Sequence, residues 1–138
     1  MKKSIQILFL CLLAMSLMMI GCGGKYSDVK KVTEKYIDLS EDYVADIDKA
    51  DDAKAIAKAM NRFADGMEEL WPEMKKISEK YPELKDKNNQ PEELKEVRKR
   101  AEEVSQRMAK GMMKVFPYIK DPEVQKAQQR LGAIMSQK

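Results

Sequence analysis

The chain is 138 residues long, 43% hydrophobic and 36% charged, with a net charge of +3, two cysteines and no histidine. A charge this small is no nucleic-acid footprint, because nucleic-acid-binding domains are strongly basic. The missing histidine and the sparse cysteine remove most metal, haem and nucleophile chemistry, and the length accommodates one domain.

Lys2 and Lys3 precede an apolar run from Ile5 to Ile20, interrupted only by Gln6 and Ser16, and Gly21 and Cys22 follow it. A positive start, a short apolar middle and a small residue at the end make a secretory signal. The run falls short of the roughly 20 apolar residues that a spanning helix needs. Met19-Ile20-Gly21-Cys22 resembles the lipobox of bacterial lipoproteins. The resemblance covers four residues with the leader as context, and it departs from the family pattern at Met19, where leucine is usual. It implies a diacylglyceryl group on the Cys22 thiol, cleavage before that residue, and acylation of the new amine. Cys11 is a poor rival, since bulky Leu10 precedes it. Gly23, rather than an aspartate, after the cysteine resembles the outer-membrane signal of enteric lipoproteins. Each buried methylene of such an anchor contributes roughly 0.8 kcal/mol, so two or three chains hold far better than one.

On this reading residues 1–21 are a signal peptide, 22–25 the acylated cysteine and a short tether, and 26–138 a helical domain. Loss of Lys2 and Lys3 lowers the net charge from +3 to +1, and loss of Cys11 leaves no partner for a disulfide within the mature chain. The three residues Gly23, Gly24 and Lys25 span only about 10 Å, which holds the domain against the bilayer. Lys25, Lys30, Lys31 and Lys35 lie near that end, either meeting lipid phosphates or forming ordinary solvated surface.

The first predicted helix runs from Tyr26 to Ala50. Val29, Val32, Tyr36, Leu39, Tyr43 and Ile47 mark one face, which Ile37 and Val44 widen. Its far end is acidic: seven acids against Lys49 between residues 36 and 52. A calcium loop starting at Asp46 fails, because Asp51 and Ala57 occupy the glycine and terminal glutamate positions. Asp51 or Asp52 is instead predicted to cap a second helix; no glycine or proline marks the turn, so the alternative is one continuous helix, which would leave its apolar stripe unburied.

That second helix carries Ala53, Ile56, Met60, Phe63, Met67, Leu70, Met74, Ile77 and Tyr81 at alternating steps of three and four, the spacing of a packed seam. Pro72 predicts a kink beside Trp71, and Pro82 ends the segment. The polar stretch from Tyr81 to Gln90 reads as a loop. Pro91 suits the first turn of a third helix whose seam is Leu94, Val97, Ala101, Val104, Met108, Gly111, Val115 and Tyr118, with Gly111 admitting a close neighbour. Pro117 ends it. Asp121-Pro122-Glu123 starts a short fourth helix with Val124, Ala127, Leu131 and Ile134 or Met135 on its apolar face. From Leu94 onward there are eleven bases and five acids, a half able to attract the acidic stretch near residue 46. Short connections between these helices predict an all-α, up-down antiparallel bundle of three long helices and one short C-terminal one.

Two site chemistries are legible. Met60, Met67 and Met74 on the second helix, with Met108 and Met112 on the third, could offer thioethers to Cu(I). Their heptad positions are already explained by packing, so no metal site is assigned and no cofactor is expected. An apolar pocket beside the Pro72 kink would be lined by Phe63, Met67, Trp71, Met74, Met108 and Met112. Carboxylates and lysines are scattered, and Ser78 and Ser105 lack an activating partner, so the chain reads as a non-enzyme. The leading expectation is a lipid-anchored module of the cell envelope, on the cell membrane or outer membrane. It acts by protein–protein contact or as a structural component and binds no nucleic acid. The runner-up is a periplasmic carrier or sensor of a small apolar ligand or Cu(I), bound through the bundle core.

Overall fold

The computed structural model describes residues 24–86 and 90–136. Four helices dominate: α1 (Ser27–Lys49), α2 (Ala53–Lys80), α3 (Lys95–Val115) and α4 (Pro122–Met135). Short 3-10 turns at Pro82–Lys85, Glu92–Leu94 and Phe116–Tyr118 punctuate the connections. The all-α bundle expected from the sequence is present, with consecutive helices running in opposite directions. Cys22 and the leader lie outside the described residues.

The helix boundaries follow the chemistry of single residues. The chain breaks at residues 50–52, and the Asp52 carboxylate accepts a hydrogen bond from the Ala55 N–H at 2.7 Å. Asp121 does the same for Glu123 and Val124, with Pro122 in the first turn of α4. Each aspartate occupies donors that the first turn of a helix leaves unpaired. α2 continues through Pro72 as one helix. The proline supplies no N–H to the Glu68 carbonyl one turn back. The segment between α2 and α3, expected as plain loop, instead carries the Pro82–Lys85 turn, with Gln90 donating to the Leu84 carbonyl.

The packing order differs from the chain order. α1 and α2 form a central antiparallel hairpin; α3 lies along α1, and α4 along α2. Arg107 faces Glu41 and Lys114 reaches the Asp48 carbonyl, so α3 is parallel to α1. Tyr118 just before α4 donates to the Asp51 carbonyl just before α2, and Arg130 bridges Asp65 and Glu68, so α4 is parallel to α2. Because α1 packs on two sides, its buried surface is wider than one stripe. Ile37, Ser40, Val44 and Ile47 are fully covered, whereas Val32, Tyr36 and Leu39 of the expected face are half-buried.

Two clusters form the core. The larger gathers Ile47, Ile56, Met60, Phe63, Met67, Val115, Val124 and Ile134 between α1, α2, the end of α3 and α4. The smaller joins Tyr26, Val29, Ile37, Tyr81, Leu94, Val97 and Val104. Interiors of this kind approach the density of organic crystals. The helix lengths leave one imbalance. α2 has 28 residues and α4 has 14, so α4 covers only half of the α2 seam. Ile56 through Leu70 are accordingly buried, and beyond them Met74 and Ile77 are only half-covered.

Candidate functional site

The six residues expected to line a pocket separate into two groups. Phe63, Met67, Trp71, Met74 and Met108 do come together in or against the larger core cluster, where all but Met74 fill space instead of lining an opening. Met67 keeps 1% of its surface. Met112 does not join them. It lies on the outer side of α3, because α3 presents Gly111 and Val115 to α1 and turns the next position toward solvent. That placement corrects the sequence-based assignment of Met112.

Met112 instead belongs to an exposed surface. Met113 and Phe116 expose 79% and 72% of their area, and Ile119 is also open. Steps of three and four place Met112, Met113 and Phe116 on one side of the helix end, and Ile119 follows one short turn later. Between Val104 and Lys120 the chain has four cations, Arg107, Lys110, Lys114 and Lys120, and no carboxylate. Arg107 and Lys114 are drawn toward α1 by Glu41 and the Asp48 carbonyl. The surface is therefore apolar at its centre, with the exposed Lys110 and Lys120 left at its border. Contiguous exposed apolar area rimmed by polar groups marks an interaction site more often than not. The sequence signal for it was present: Met112, Met113 and Phe116 flank the heptad positions Gly111 and Val115 and cannot share their face.

The opposite end of the bundle holds the first described residues in a polar clamp. The Tyr26 N–H donates to Glu93 at 3.1 Å, and the Tyr26 hydroxyl donates to Glu83 at 3.0 Å. The Tyr81 hydroxyl donates to the Lys25 carbonyl at 2.8 Å and to Asp28 at 2.9 Å. The two rings stand 5.0 Å apart at 55°, a tilted pair. Lys25 pairs with Glu83 and lies 4.8 Å from the centre of the Tyr26 ring; Lys80 pairs with Asp28 and lies 4.9 Å from that of Tyr81. The Lys80 ammonium, helped by the Tyr81 hydroxyl and the Val29 N–H, holds the Asp28 carboxyl below its ordinary value. Lys25, with the Tyr26 hydroxyl, does the same for Glu83, and both lysines are pushed up in return. Sequence reasoning did not connect Glu83 or Glu93 with Tyr26, since partners 57 and 67 residues away leave no local pattern.

A shallow apolar cleft of about 270 Å³ opens between α1 and the uncovered part of α2, lined by Val32, Tyr36, Met74, Ile77, Leu84 and Lys85 among others. It lies past Trp71 and nearer the Tyr81 clamp than the pocket read from the sequence. Of that pocket's six residues Met74 alone lines it. Among the described residues, no group of three or more Asp, Glu, Cys or His is placed to hold a metal ion, and no helix is long and apolar enough to cross a membrane. Comparison with protein-family models, with curated proteins and with solved structures finds no match.

Proposed function

We propose that this chain is a lipid-anchored helical module of the cell envelope that acts without catalysis, by holding a protein partner at the Met112–Ile119 surface. The anchor rests on the lipobox-like Met19-Ile20-Gly21-Cys22 and its leader. The contact rests on one observation, the exposure of Met112, Met113, Phe116 and Ile119 at the end of the bundle away from Gly24. The twenty-three residues of α1 separate these two ends by about 35 Å, at 1.5 Å per residue. Lys110 and Lys120 beside this apolar surface favour a partner that presents an acidic amphipathic helix.

Two measurements test this. Metabolic labelling with a clickable fatty acid should mark the wild-type chain and not Cys22→Ala; equal labelling overturns the anchor. A photo-crosslinker at position 116, in cells expressing the full chain, should yield one discrete adduct that Met113→Glu abolishes. A crosslinker at Lys126, on the exposed side of α4, should not yield it. Identical adducts from both positions overturn the surface assignment. The filled core around Met67 removes support from a ligand carried through the bundle centre.

A further inference from the structure

We infer that the cleft between α1 and the C-terminal half of α2 is a binding site for a single-chain anionic amphiphile of the fatty-acid class. Among the described residues, α4 covers only the first half of the α2 seam. Arg130 of α4 lies against Asp65 and Glu68, so Met135, the last residue of α4, reaches the register of about residue 72 on α2. Beyond that point the seam of α2 continues through Met74 and Ile77, half-buried beside α1 with no further helix of the described residues over them, to the buried Tyr81 at the end of α2. Val32 and Tyr36 of α1 form the opposite wall, and Leu84 and Lys85 close the end nearest the clamp.

Size and polarity select the occupant. A volume of about 270 Å³ is too small for a partner helix, which is about 10–12 Å across with its side chains. An unbranched aliphatic chain is narrow enough to lie in it. The walls are apolar along their length and polar at the border. Thr33 is spoken for, since its hydroxyl donates to the Val29 carbonyl at 2.8 Å. The Tyr36 and Ser78 hydroxyls and the Lys85 ammonium make no hydrogen bond or ion pair within the described residues. Lys85 sits at one end only, which is the arrangement an amphiphile with one charged head requires. The carboxylate would meet Lys85 beside Leu84, and the tail would run past Ile77 toward Met74 and Tyr36. This reading does not depend on lipid at Cys22 or on the Met112–Ile119 surface.

The test uses the full chain held in amphipol and titrated with a conjugated polyene fatty acid, whose emission rises in an apolar site. Wild type should show saturable one-site binding that palmitate displaces and methyl palmitate displaces several-fold less well. Ser78→Trp, which fills the cleft from its border, and Met74→Gln should each weaken binding by about tenfold, as expected when apolar contacts line a shallow site. Lys85→Ala should weaken it about three- to fivefold, the scale of one solvent-exposed charge pair, and Lys85→Arg should restore it. Phe116→Glu should bind as wild type does. Circular dichroism melts confirm that each variant is folded before titration. No saturable binding by wild type, or equal affinity in wild type, Ser78→Trp and Met74→Gln, overturns the site. Equal displacement by palmitate and its methyl ester overturns the anionic head group.

Discussion

The Leu39 side chain of α1 seats its methyl groups in the notch that Gly66 leaves on α2. A Cβ at position 66 would run into both methyls, whereas one at Gly111 would meet only the Ile47 Cγ2 at 3.6 Å, ordinary contact. The two glycines, chemically identical and both helical, therefore predict opposite outcomes. Gly66→Ala should destabilise by about 1 kcal/mol, because overpacking of about 1–3 kcal/mol outweighs the helix gain. Gly111→Ala should stabilise by about 0.5–1 kcal/mol, with no clash to offset it. Urea melts of both variants decide the matter. Leu39→Ala combined with Gly66→Ala should be less damaging than the sum of the two, since the larger change removes the methyls that collide.

Ser40 is fully buried on α1 and its hydroxyl has no hydrogen-bond partner among the described residues. A buried unpaired hydroxyl is destabilising by about 1–3 kcal/mol relative to a satisfied one. Ser40→Ala removes the polar atom with little change in volume and improves helix propensity. It should raise stability by about 1 kcal/mol, or several degrees in melting temperature for a chain of this size. A fall in melting temperature would show that the hydroxyl is satisfied in solution.

The clamp around Tyr26 and Tyr81 makes stability sensitive to acid. Asp28 and Glu83 both have carboxyls held below their ordinary values of 3.8 and 4.5 by Lys80 and Lys25. A group whose folded value is depressed stabilises the fold fully above its unfolded value and loses that contribution as pH falls through the folded one. Stability should therefore decline below about pH 4.5. Asp28→Asn with Glu83→Gln should flatten that decline and lower stability at neutral pH. The pairs are solvent-exposed, so moderate salt should narrow the difference between variant and wild type.

Asp52 and Asp121 cap α2 and α4 in the same way, but α4 is half as long and packs chiefly on one neighbour. Asp52→Ala and Asp121→Ala should each lower stability by about 0.5–2 kcal/mol, with asparagine restoring most of it. The losses should differ in kind. Asp121→Ala should raise amide exchange selectively within α4, while Asp52→Ala acts on the whole bundle, because α2 is packed against both α1 and α4.

Much of this fold was written in local pattern. The seam of α2 and the Asp121-Pro122 start rest on residues within a turn or two of one another, where spacing and capping chemistry suffice; the break before Asp52, with no glycine or proline to mark it, is favoured only because one continuous helix would leave its stripe unburied. The lateral arrangement was not legible, because heptad spacing says which face is buried and not which helix buries it. That is why Ile37 and Ser40 prove more covered than Tyr36 and Leu39, and why Met112 falls outside the core. Gly111 looked like the point of close approach because it sits on a seam. Gly66 holds that role instead, since its neighbour Leu39 comes from another helix. The clamp and the cleft depend on Glu83 and Lys85, in a stretch whose sequence reads only as polar connection, and on Glu93 at the start of the third helix.

The hydrogen bonds of Tyr26 and Tyr81 bear on how the bundle responds to mechanical load. A pull applied at Gly24 would not peel α1 away one turn at a time. The Tyr26 amide is tied to Glu93 ahead of α3, and the Lys25 carbonyl to Tyr81 at the end of α2. Tension entering there is divided among three segments at once, so α1 yields only together with the contacts that hold its start to the other helices.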